Sequence, residues 1–299
     1  MQRVYSFCAA LLLSFNCFAQ TEAQPSINLI AAVPVENISL ALPEESAKTG
    51  LPKEEVYKLK PKVDIPVTAV GTAWSLYAFT KIYSKDDSPV EDIRALDKNN
   101  INGFDRWAAG KSSDKADAQS NILFYGVMPL PIVFLADKKI RQDFGKVSFL
   151  YLEAMSITGL LYTGSTYFVD RYRPETYNTN IPAEYRTSGN LRNAFFAGHV
   201  ALVATSSFFA AQVYNDYHPD SKLKYVFYGA AGAATITTAY LRHIAGKHFP
   251  TDILLGTAIG TASGILVPRL HRNVNIGGNA LRISPRIGNG YGFSAVYQF

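Results

Sequence analysis

The sequence predicts an all-α protein, a six-helix bundle that carries a small C-terminal β-hairpin. Three observations predict this. Six apolar segments of 15 to 23 residues follow one another, lengths that suit helices and not strands. Several are rich in small residues, as in Ala230-Ala231-Gly232-Ala233-Ala234 and Gly256-Thr257-Ala258-Ile259-Gly260, which let helices approach closely. Only the last stretch of the chain alternates with a period of two.

The elements follow in chain order. Arg3, the apolar run Val4 to Leu13 and the small-residue site Cys17-Phe18-Ala19 read as a secretory signal, residues 1–19, cut after Ala19. The chain's two cysteines, Cys8 and Cys17, both fall in it, so the exported chain has no disulfide. Export of this kind places the protein in a bacterial cell envelope. Residues 20–64 are polar and punctuated by prolines, an arm or tether. A helical domain over 65–271 then holds the six segments, near Val67–Tyr83, Ile122–Ala136, Val147–Val169, His199–Tyr214, Leu223–Leu241 and Pro250–Val267. Between the first two, Ile101 to Trp107 predicts a short amphipathic helix lying on the bundle. In 272–299, Tyr291, Phe293, Tyr297 and Phe299 share one face, and Asn289-Gly290 signals a turn after Leu281 and Ile283.

Composition bounds the function. At 48% hydrophobic and 18% charged residues the chain is too apolar for disorder. The net charge of +5 comes without a dense Lys/Arg stripe, which argues against nucleic acid. Basic residues Lys138, Lys139, Arg141, Lys146, Lys222 and Lys224 cluster between segments two and three and between four and five. If the helices span a membrane, that bias puts those loops in the cytoplasm and the opposite loops, with the polar clusters, outside. A cleaved signal instead starts the chain outside. Either one segment, the short first one whose end carries Lys81, does not span, or the bundle is periplasmic and at most peripheral to the membrane.

Three polar clusters lie at the opposite ends of the segments. They are Asp170-Arg171-Tyr172-Arg173-Pro174, then Phe195-Phe196-Ala197-Gly198-His199, then Arg242 through Asp252. Pro250 suits the first turn of a helix, with His248 just outside it and Asp252 within it. A first-turn carboxylate that reaches the imidazole would fix its tautomer and free the other nitrogen to attack. Gly198 allows close backbone approach, and the Ala197 and Gly198 amides offer an oxyanion cradle beside His199. Arg173 and Arg242 are planar forks for phosphate oxygens. His218, His243 and His271 lack matching partners in the sequence and read as surface residues.

At these residues the chain resembles the PAP2 (type 2 phosphatidic acid phosphatase) superfamily, which includes vanadium haloperoxidases. Arg173-Pro174, Gly198-His199 and Arg242-x5-His248-x3-Asp252 fall in the family's order, within a resemblance over about 65–270. The chain departs from the family pattern at Thr166 (Lys in the family), Phe196 (Pro), Ala197 (Ser) and Leu241 (Ser). The resemblance implies a metal-independent phosphatase without a cofactor, acting on a phosphorylated lipid or a small phosphoester. It implies His248 as nucleophile, His199 as proton donor, Asp252 as orienting group, and Arg173, Arg242 and Gly198 on the phosphate. Arg171 is expected to swing in for the missing lysine. The alternatives are a low-activity envelope protein of this fold and a vanadate-dependent haloperoxidase. A metal hydrolase on His199, His248 and Asp252 is disfavoured, since the arginines would repel a cation.

Overall fold

In the computed structural model, the structure describes residues 55–273 together with the backbone of 281–288 and 290–297. The expected signal peptide and almost all of the arm lie outside the described residues. The described part is mostly helical. Eight α-helices occur among the described residues: α1 Pro61–Ile82, α2 Val90–Arg94, α3 Asp114–Val127, α4 Lys138–Arg141, α5 Phe144–Phe168, α6 Gly198–Tyr217, α7 Leu223–Ile244 and α8 Pro250–His271. The count exceeds six because two short helices, α2 and α4, form in stretches read as connections.

Boundaries moved where caps outweighed hydropathy. α1 begins at Pro61, inside the expected arm, because proline suits a first turn and Asp64 follows in that turn. α3 begins well before Ile122 because Ser113 accepts the Ala116 amide at its N-terminus and Asp114 and Asp117 occupy its first turn. It stops at Val127, and Pro129 and Pro131 turn the rest of that segment into the 3-10 stretch Leu130–Ala136. The expected helix near Ile101–Trp107 is instead a pair of 3-10 turns, Lys98–Asn100 and Arg106–Ala108. Strands β1 (Leu281–Gly288) and β2 (Gly290–Tyr297) run antiparallel with Ser284 opposite Ser294. Their side chains and Asn289 lie outside the described residues.

α6 is the central helix, with α8, α7 and α5 packed around it, while α1 packs on α5. Its buried side chains include Val200, Val203, Phe209 and Val213. Contact with α8 is backbone on backbone. A Cβ on Gly256, Gly260 or Gly264 would lie 2.7, 2.1 or 2.6 Å from the carbonyls of Ala197, Ala201 and Thr205. This four-residue stripe of glycines sets the start of α6 against the start of α8. The catalytic candidates of both helices therefore meet at one end of the bundle.

Large apolar side chains lie exposed on several helices: Val63, Val70 and Leu76 on α1, Ile122 on α3, Tyr225 and Ile236 on α7, and Leu254 and Leu270 on α8. Two segments among the described residues are long and apolar enough to cross a membrane, Asp114–Ala136 and Pro250–His271.

Candidate active site

The site is assembled by backbone bonds between loops. Arg171 and Arg173 donate their amides to the carbonyls of Arg192 (3.0 Å) and Leu191 (2.7 Å), and Ala194 donates back to Arg171 (3.1 Å). Glu175 donates to Gly246, 2.9 Å. Gly246 holds φ at +70°, and a Cβ there would sit 1.8 Å from the Lys111 carbonyl. The loop after Arg242 is thereby fixed against the loop after Arg173.

His248 is 2% exposed. Its Nδ1 lies 2.7 Å from the Ala194 carbonyl, an acceptor, so Nδ1 carries the proton. Nε2 has no hydrogen-bond partner among the described residues. Burial, then the charges of Arg242 and Arg173, hold this imidazole well below the ordinary histidine range. The ring is thus neutral, with one tautomer and a free lone pair.

Asp252 does not orient His248 directly. One carboxylate oxygen accepts the Phe249 amide at 2.8 Å, and the other bonds Arg171. A carboxylate in that first-turn position reaches back to its own helix entry, the nearer unsatisfied donor. The orienting group for His248 is the Ala194 carbonyl.

Arg171 also departs from expectation. Its guanidinium bonds Asp252, donates to Asp105 Oδ2 at 2.7 Å and to Thr251 Oγ1 at 3.0 Å, and lies 4.6 Å over the Phe249 ring. Two fully buried carboxylates hold it, so it does not stand in for the lysine. Asp105, which the sequence reading missed, is the hub. It accepts from the Thr251 amide (3.0 Å), the Thr251 hydroxyl (2.6 Å) and Asn102 (2.8 Å). Burial pushes its carboxyl up, but the hydrogen bonds from Thr251, Asn102 and Arg171 win and hold it below the ordinary range. The start of α8 is therefore capped by the protein's own carboxylates and is not open to a ligand anion.

The remaining expected residues face the other side. Arg242 is 4% exposed. It bonds Asp117 and lies 3.3 Å from the Ser120 hydroxyl, while its Nε is buried with no hydrogen-bond partner among the described residues. Arg173 also buries an Nε without a partner, and its Nη1 lies 3.7 Å from Glu175. Lys247 pairs with Glu175 at 2.8 Å. His199 Nε2 lies 3.0 Å from Asn121 Oδ1, and its ring centroid 4.5 Å from that of Phe124. The Ala197 amide is spent on the Asp252 carbonyl at 3.1 Å, which leaves the Gly198 amide among the first, unpaired donors of α6. Gly198 itself is needed for packing: a Cβ would come within 2.6 Å of the Tyr162 ring. Thr166 donates to the carbonyls of Tyr162 (2.9 Å) and Phe195 (3.0 Å).

The three other histidines all have partners. His218 lies 2.8 Å from Asp137, His243 lies 2.9 Å from Lys111 and against the Trp107 ring, and His271 is buried near Asp64 and Glu153. Long-range pairing of this kind leaves no local sequence signal.

Against known proteins, the PAP2 superfamily model matches residues 148–276. No curated protein and no solved structure matches the chain.

Proposed function

This chain belongs to the PAP2 superfamily by its segment 148–276, and from that premise we propose that it hydrolyses phosphomonoesters or pyrophosphates through a phosphohistidine on His248. One observation carries the reading. A buried neutral imidazole is fixed through Nδ1 on the Ala194 carbonyl, keeps Nε2 free, and sits in the field of Arg173 and Arg242. That is the state a nitrogen nucleophile needs.

In the proposed reaction Nε2 attacks phosphorus, forming a P–N bond as the P–O bond to the leaving group breaks. Burial and the charges of Arg242, Arg173 and Lys247 hold His199 neutral in the empty site. The bound phosphate's negative charge must therefore first favour its protonated form, which then gives its proton to the departing oxygen. Water then attacks phosphorus, His199 takes the water's proton, and the P–N bond breaks to release phosphate and His248. Arg173, Arg242 and the Gly198 amide face the charge on the equatorial oxygens. Asp252 and Arg171 act at one remove by fixing the Phe249 turn that carries His248.

The exposed apolar helix faces favour a lipid-linked phosphate substrate and a protein held in or on an envelope membrane. The basic loops near Lys138–Arg141 and Lys222 lie at the ends of α5 and α7 away from the site, so the site would face the periplasm. The C-terminal hairpin is an appendage to this bundle.

The test is phosphate release from a panel of lipid A, phosphatidate, isoprenoid pyrophosphate and soluble phosphoesters, with vanadate as inhibitor. The wild type should turn over at least one class, and His248→Ala should release none. Turnover retained in His248→Ala overturns the mechanism.

A further inference from the structure

The end of the bundle away from His248 holds a second cluster of ionisable groups. Asp64 stands in the first turn of α1, Glu153 within α5, and His271 is the last residue of α8. They are 2%, 5% and 7% exposed. His271 Nε2 lies 3.1 Å from Asp64 Oδ1 and 3.7 Å from Glu153 Oε2. One ligand atom from each residue lies within 4.8 Å of the others. At the helical rise, the stretch of α8 from Asp252 to His271 is about 28 Å long, so this cluster is separate from the phosphate site.

Two details point to a ligand. His271 Nδ1 lies 2.8 Å from the Val267 carbonyl, which can only accept, so the proton sits on Nδ1. In the neutral ring Nε2 then turns a lone pair toward two carboxylates, which is repulsive unless a positive species lies between them. Glu153 Oε2 supplies the second detail. It is buried, aimed at His271, and has no hydrogen-bond partner among the described residues. Such an oxygen costs free energy unless something coordinates it. The other Asp64 oxygen is held by the Lys60 amide, which aims Oδ1 inward. Arg272, next in sequence, turns to Asp216 and does not neutralise the cluster.

Two carboxylates and a neutral imidazole sum to a charge of −2, which one divalent cation balances. Metal–ligand bonds of about 2.0–2.2 Å in a tetrahedral set place ligand atoms roughly 3.4 Å apart, close to the two spacings around Nε2. Imidazole with carboxylate donors suits zinc among the divalent ions. The Nδ1–H bond to a backbone carbonyl is the outer contact that metal-bound histidines make. We propose that Asp64, Glu153 and His271 form a zinc-class divalent metal site that fastens α1, α5 and α8 together. Asp64 precedes the segment matched to the family, whereas Glu153 and His271 lie within it, so the site joins α1 to that segment. The Lys58 amide donates to the His271 carbonyl at 2.8 Å, so the same ion would also fix where the chain enters the bundle.

The experiment uses tag-free, full-length protein in detergent, stripped with a chelator and titrated with zinc against a chromophoric competitor. Cobalt is then substituted and its visible d–d bands recorded. The expected result is one zinc per chain, cobalt bands of a low-coordinate N/O site, and a thermal midpoint that rises with zinc. Glu153→Gln and His271→Gln should each weaken binding by about 100-fold or more, since each removes one of three ligands. Asp64→Asn, the mildest change, covers the case where either of those fails to fold. His248→Ala should bind zinc like the wild type, which separates this site from the proposed phosphatase. Folded wild type that takes up no stoichiometric zinc, or variants that bind as tightly as wild type, would overturn the proposal.

Discussion

Replacing Arg171 by methionine separates two roles for this residue, phosphate ligand and structural clamp. Methionine keeps most of the apolar contact with Phe249 and removes the charge. Asp105 and Asp252 are 0% exposed, whereas 23% of the Arg171 side chain is exposed. Stripping the partner from a buried carboxylate costs about 3–5 kcal/mol, and the partial exposure of Arg171 favours the lower end. At roughly 2–4 °C per kcal/mol, a loss of about 3 kcal/mol lowers the thermal midpoint by about 6–12 °C. The loss has a pH signature. Without the guanidinium, the Asp105 carboxyl loses one of the hydrogen bonds that hold it below the ordinary range. The folded variant then binds protons more readily than the folded wild type, so its deficit is largest near neutral pH and shrinks as pH falls. A phosphate ligand behaves differently. Losing one charge-assisted hydrogen bond of about 1.5–3 kcal/mol would weaken vanadate inhibition roughly 10- to 150-fold. The clamp reading therefore expects a lowered midpoint in detergent with vanadate inhibition, measured at low temperature, within about twofold of wild type. An unchanged midpoint with tenfold weaker inhibition would refute it.

Two further outcomes follow from single contacts. Gly198→Ala drives a methyl into the Tyr162 ring, an overlap worth about 1–3 kcal/mol, and adding Tyr162→Leu to the same chain should restore the thermal midpoint; a double variant as unstable as the single one would show that packing is not why glycine stands there. His248 is held neutral in the fold, whereas the unfolded chain takes up its proton near pH 6.5, so stability falls as pH drops below that value, by up to about 1.4 kcal/mol per pH unit. Thermal midpoints from pH 7.5 to 5 should fall more steeply for wild type than for His248→Gln, and parallel slopes would rule out a buried neutral imidazole.

The helical class and the position of the three polar clusters were legible because hydropathy and proline act locally. Pro250 marked the start of α8, and the small residues of segment six proved to be the glycine stripe that joins it to α6. The starts of α1 and α3 were misplaced because capping by Pro61 and Ser113 extends helices into polar sequence that hydropathy reads as loop. The partners of the site residues were not legible. Asp105, Asp117 and Asn121 come from the charged stretch before α5, with nothing in their neighbourhood to mark them, and each is brought in by tertiary packing. The Ala194 carbonyl is a backbone group, invisible to any reading of side chains. Asp252 was misread for a related reason: its first-turn position was right, but the fold offered it two nearer donors than the imidazole.

The two positions that depart most from the family pattern have been absorbed into packing. The Ala197 methyl is buried with Val200 and Ile253, an apolar setting in which a hydroxyl would lack a partner. Thr166 is buried with its hydroxyl committed to two carbonyls, and the Lys85 ammonium that reaches its backbone carbonyl is paired with Asp170. No replacement cation comes from Arg171, which Asp105 and Asp252 already balance. On the proposed reading, the cations of the site are then Arg173 and Arg242, which act on His248 and His199, and Lys247, which acts on His199, set against Asp117 and Glu175. Three cations against two carboxylates leave one net positive charge, less than a phosphate dianion carries. Binding must draw the difference from uncharged donors: the Gly198 amide and the positive end of α6. Such donors act only at short range, so the site favours a phosphate delivered and held in place by the rest of its molecule over one captured from solution. That preference is the one the proposed lipid-linked substrate would meet.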